Sequence, residues 1–73
     1  MNKLPIVSGK ECIAALEKAK FYVKRRESSH VILMRDDPFA RVVVPDLREI
    51  DLGTLRAIIR QTGLSVDEFM LLL

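Results

Sequence analysis

The chain has 73 residues, 49% of them hydrophobic and 30% charged, with a net charge of +2. That length supports one hydrophobic core and not two, so a single domain over residues 1–73 is expected. The balance is that of a folded globule rather than a disordered segment, and no apolar run approaches the roughly 20 residues of a spanning helix.

Taken in chain order, Val7-Ser8-Gly9-Lys10-Glu11-Cys12 reads as a helix start. Ser8 and Glu11 have the spacing of a capping box, and Val7 and Cys12 that of a hydrophobic staple. Cys12, Ile13, Leu16 and Ala19 then form one apolar stripe, and the helix is expected to end near Lys20. The period changes at Phe21-Tyr22-Val23-Lys24-Arg25-Arg26, where Phe21 and Val23 alternate against Lys24 and Arg26 as in a half-buried strand. Ser29–Arg35 reads as a second strand. Asp36-Asp37-Pro38 signals a turn, and Ala40–Val44 is a third strand stopped by Pro45. Short connections favour an antiparallel meander. Asp46–Asp51 reads as a polar connection. Leu52, Leu55, Ile58 and Ile59 recur at helical spacing, with Asp51 placed to cap the start and Gly63 the end. Arg56 and Arg60 share one face of that helix. Ser65 and Glu68 repeat the capping box, and Leu64 and Phe69 the staple, for a short last helix. Phe69, Leu71, Leu72 and Leu73 are expected to pack its end onto the body.

The expected architecture is therefore α+β. A three-stranded antiparallel meander carries its helices on one face and leaves the other free for a ligand. Strict alternation puts His30 with Ile32 and Met34, opposite Val31 and Leu33, but both sets are apolar, so the pattern leaves the covered face open.

The charge is unevenly spread. Residues 1–35 carry eight basic groups, Lys3 among them, against three acids, a net of +5, whereas residues 36–73 are at −3. The densest basic stretch, Lys20–Arg26, immediately precedes the one histidine, His30. A basic cluster attracts phosphate backbones without reading sequence. Histidine is the side chain whose ordinary pKa lies nearest neutral pH, so a placed one moves protons. In RNA cleavage that proton leaves the ribose 2′-hydroxyl or joins the departing 5′ oxygen, and Lys24, Arg26 and Arg41 are candidates to hold the phosphate. The residues alone leave open a histidine with a purely structural hydrogen bond. Tyr22 and Phe39 are candidates for stacking on bases.

Other chemistries find little support. Ser28 and Ser29 have no His–Asp pair to activate them. The order of Asp36, Asp37, Asp46 and Asp51 fits no calcium loop, and the three glycines are too far apart for a phosphate loop. Cys12 on the apolar stripe reads as a buried thiol. No metal and no cofactor are expected. A lone cysteine, with Pro5 and Ser8 interrupting what a signal peptide would keep apolar, points to a cytoplasmic protein.

Five ordered pieces of the chain resemble a known family. They are Leu4-Pro5-Ile6-Val7-Ser8-Gly9-Lys10-Glu11, Ala15–Phe21, Arg26-Glu27-Ser28-Ser29-His30, Val44-Pro45, and Gly53–Leu64. Together they are similar to the HicA (YcfA-like) toxins. The resemblance implies a small α-β-β-β-α fold similar to the double-stranded RNA-binding domain, with a short C-terminal helix. It implies an mRNA-cleaving ribonuclease of a type II toxin–antitoxin system that acts in the cytoplasm. It also implies a HicB-like antitoxin that covers the active site. The family's catalytic histidine lies in a Gly-Ser-His motif and maps onto His30, its serine onto Ser29. The RNA-binding set expected on this basis is Lys20, Lys24, Arg26, Ser29 and Arg41. Three positions depart from the pattern: Ser28 replaces the motif glycine, Lys20 replaces a glycine before the aromatic, and Leu47 stands where many members carry a histidine. Two further readings remain at this stage. One is a catalytically weak or inactive RNA-binding module, and the other is an interaction domain whose basic strand docks an acidic partner.

Overall fold

The computed structural model describes residues 4–73, so Lys3 of the basic count lies outside it. Helix α1 spans Gly9–Lys18, followed by strands β1 (Tyr22–Glu27), β2 (His30–Asp36) and β3 (Phe39–Pro45) and helices α2 (Leu52–Thr62) and α3 (Val66–Leu72). This is the α-β-β-β-α order with a short final helix, and the three strands form one antiparallel sheet in the order β1-β2-β3.

The helix ends follow from local chemistry. Ser8 and Glu11 form a reciprocal capping box, with Glu11 N–H donating to Ser8 Oγ at 3.0 Å and Ser8 N–H to Glu11 Oε1 at 2.9 Å. Ser65 and Glu68 repeat it at 3.0 and 2.8 Å. Asp51 caps α2, accepting from the Thr54 hydroxyl and the Thr54 amide at 2.7 and 3.0 Å; these bonds hold its carboxyl below the usual range. Gly63 closes α2 at φ 81°.

Helix α1 ends in a Schellman motif. Phe21 N–H donates to Leu16 O and Lys20 N–H to Glu17 O, both at 3.1 Å. This places Lys20 at φ 72°, a left-handed conformation that suits glycine. Ser28, in the two-residue turn between β1 and β2, sits at φ 55°. Both positions are ones where the sequence departs from a glycine. Lys20→Gly and Ser28→Gly are each expected to stabilise the fold by about 1 kcal/mol, raising Tm by roughly 4–8 °C. An unchanged or lower Tm in thermal melts would count against this account of the two turns.

One sheet face is covered. Val31, Leu33, Val42 and Val44 are fully buried with Leu16, Leu55 and Phe69, and Cys12 lies among them. Burial pushes the Cys12 thiol up to about 12, so it is neutral at physiological pH. Helices α1 and α2 pack on β3, and α3 packs on α1 and α2. The smallest dimension of the molecule, 17 Å, has room for the sheet and a single helical layer. Register settles which side is open. His30, Ile32 and Met34 face away from the core, as alternation along β2 requires once Val31 and Leu33 are buried.

Three expectations need correction. Strand β1 is exposed along its whole length rather than half-buried. Only Phe21, just before it, enters the core, because no helix covers this edge strand. The link Asp46–Asp51 is not wholly polar: Ile50 is buried and pairs with Val7 as an isolated antiparallel bridge. In α3, Phe69 enters the core and Leu72 packs partly against it, whereas Leu71 points into water and Leu73 is also exposed. Leu71 falls on the outer face of a helix only 7 residues long.

Candidate functional site

Strands β1 and β3 are the edges of the sheet, and His30 opens β2 on the face turned away from the core, where Ile32 is nonetheless buried among its neighbours. Its cross-strand partners are Glu27 on β1 and Pro45 on β3. The next rung of the same face holds Arg25, Ile32 and Val43, and the one beyond it Tyr22, Met34 and Arg41. His30 is exposed, so its imidazole is open to a ligand approaching the sheet.

A β-bulge decides which cations accompany it. Val23 pairs with Leu33 and Arg25 with Ile32, which leaves Lys24 as the extra residue. The insertion reverses the alternation beyond it. Without it, Arg26 would face His30. With it, Arg26 pairs with the buried Val31 and donates to Asp46 at 3.0 Å, on the side away from His30. Arg25 and Glu27 take the open face instead and pair with each other at 3.1 Å. Arg25 is a diagonal cross-strand neighbour of His30, about 7–8 Å away. The Arg25–Glu27 pair is exposed, so releasing Arg25 to a phosphate costs less than about 1 kcal/mol.

The predicted companions are therefore spread out. Arg41 shares the face of His30, but it pairs with Met34, roughly 13 Å along the strand. Lys24 is exposed at the bulge and Lys20 lies before the strand; neither joins an ion pair among the described residues. Ser29 lies in the turn, where its carbonyl accepts from Asp46 N–H at 2.7 Å and ties the hairpin to the link after β3. Leu47, two residues past Pro45, is half exposed. Alternation counted from Phe21 and Val23 puts Arg25 and Glu27 on the face opposite Lys24 and Arg26. Counting back from the two-residue Ser28–Ser29 turn pairs Glu27 with His30 directly and finds both.

Arg35, in the basic half of the chain, has a different role. Its guanidinium lies 4.6 Å from the centre of the Phe21 ring and donates to Pro38 O and Thr62 O, both at 2.9 Å. It fastens the β2–β3 turn and the C-terminal end of α2 to the sheet. A separate cavity of about 290 Å³ lies between α2 and α3, lined by Arg56, Ile59, Arg60, Leu64, Ser65 and Val66; none of its lining comes from the strands.

The domain is thus an α-β-β-β-α fold with one sheet face turned away from its helices and a solvent-facing histidine at the end of that face. The family model described as the HicA toxin of bacterial toxin–antitoxin systems matches residues 9–64, and the chain belongs to that family. No curated protein matches the chain. A toxin role within a toxin–antitoxin pair follows from the family. Among the described residues, no helix is long and apolar enough to cross a membrane.

Proposed function

We propose that this toxin is an endoribonuclease that cleaves mRNA with His30 as its proton-transfer group. The observation that carries the reading is the exposed His30 on the bare sheet face, with Glu27 directly across and Arg25 on the next rung. The ribose 2′-oxygen attacks the adjacent phosphorus as the imidazole takes its proton. The bond from phosphorus to the 5′ oxygen breaks, and that oxygen takes up a proton. The products are a 2′,3′-cyclic phosphate and a free 5′-hydroxyl. Arg25 offsets the charge that builds on the phosphoryl oxygens, and the imidazolium formed on His30 passes its proton through water to the departing 5′ oxygen. Lys20, Lys24 and Arg41 hold the RNA backbone, and Ser29 supplies a hydroxyl beside His30. Arg26, tied to Asp46, contributes to the positive field from the edge.

The partner in this reading is a HicB-like antitoxin that neutralises the toxin by covering the open face, and the site of action is the cytoplasm. The test is RNA degradation by the purified protein beside its His30→Ala variant. Equal cleavage by the two ends the assignment of His30.

A further inference from the structure

The open face extends beyond the residues this chemistry uses. At its far end Tyr22, Met34 and Arg41 form one rung, and Asp36 and Phe39 pair on the next. Phe39 is 67% exposed and Tyr22 41% exposed. A phenyl ring left in water contributes little to the fold, and Phe39 lies outside the core. Tyr22 is fixed: its hydroxyl donates to Asp36 Oδ1 at 2.9 Å, and that bond raises its pKa, so the phenol stays protonated. The ring is therefore anchored at its tip with part of its surface open. On the same rung, across Met34 of β2 and two residues along β3 from Phe39, Arg41 is a cation with no ion-pair partner among the described residues.

We propose that Tyr22, Phe39 and Arg41 form a stacking subsite for an unpaired nucleobase of single-stranded RNA. This rests on the reading of the open face as the RNA-cleaving surface, and it adds what that face selects. An unpaired base offers a flat π-surface to the aromatic rings, and its own phosphate meets Arg41. An acidic peptide would satisfy Arg41 and leave the rings unused. A duplex keeps its bases stacked inside and presents none to the sheet. The subsite lies on the face of His30, roughly 13 Å along β2, so a strand crossing the sheet meets both. The base held here sits a fixed number of nucleotides from the bond cut, so the subsite sets where cleavage falls.

Tyr22 is the sole tyrosine and the chain has no tryptophan, so intrinsic emission reports on this ring alone. The experiment titrates the full chain with a 2′-O-methyl RNA strand, which cannot be cut, and with the same strand in a duplex. The single strand is expected to quench Tyr22 emission and the duplex to leave it unchanged. Phe39→Leu keeps an apolar side chain without the ring, and it is expected to weaken single-strand binding about five- to 150-fold. Equal quenching by the duplex, or unchanged affinity in Phe39→Leu, overturns the proposal. So does a Phe39→Leu variant that loses its antitoxin while keeping RNA affinity, since the face then serves a protein. The titration follows binding alone. Quenching that depends on Phe39 upholds the subsite even where His30→Ala cleaves as fast as the parent chain, a result that ends only the catalytic reading.

Discussion

Replacing His30 with alanine is expected to cut RNA cleavage by about 10²–10⁴-fold, the usual contribution of a placed proton-transfer group. RNA affinity is expected to change little, because the cations that hold the backbone remain. The fold is expected to tolerate the change. His30 is exposed and lies outside the buried core, so a stability effect within about 0.5 kcal/mol is anticipated. Single-turnover cleavage, a binding titration and a thermal melt separate these three quantities. Loss of cleavage together with loss of folding would point to a structural histidine. Loss of cleavage at unchanged Tm and affinity places the defect in the chemical step.

Gly9→Ala is expected to have the largest effect on stability. A Cβ built on Gly9 would lie 2.4 Å from Pro45 O, 2.9 Å from Asp46 Cα and 3.1 Å from Leu47 N. All three are backbone atoms, so no side-chain rotation relieves the clash. Gly9 N–H also donates to Leu47 O at 2.8 Å, and a shift large enough to admit the methyl group breaks that bond. The loss is expected to reach about 3 kcal/mol, a large share of the roughly 4–11 kcal/mol available to a domain of this size. Tm is expected to fall by about 12–24 °C. Pro45 is the β3 partner of His30, so cleavage is expected to fall as well. A Gly9→Ala chain that melts with the parent would contradict this packing.

The helix ends were legible in the sequence because their chemistry is local. Ser8 with Glu11, Asp51 with Thr54, and Ser65 with Glu68 are each three residues apart, and each pair forms its bonds as the spacing implies. The departures at Lys20 and Ser28 were also legible, and the structure gives both the backbone that glycine favours. What was not legible depends on contacts between distant segments. The clash space at Gly9 exists only because the link after β3 crosses the start of α1. The choice of open face needed the positions of α1 and α2, since Val31, Leu33, Ile32 and Met34 are all apolar. The one-residue bulge at Lys24 moved Arg26 away from His30 and brought Arg25 near it, a change that alternation along β1 alone conceals. His30 stands out by residue type and neighbourhood, whereas which side chains share its face depends on the register.

The proposed function puts RNA on the sheet face that carries His30. Amide chemical-shift mapping of the intact chain with the uncleavable 2′-O-methyl strand tests it most directly. The perturbed amides are expected to cluster on Arg25, Glu27, His30, Ile32, Met34 and Arg41. Perturbations confined to Arg56, Ile59, Arg60 and Val66, around the α2–α3 cavity, would contradict it.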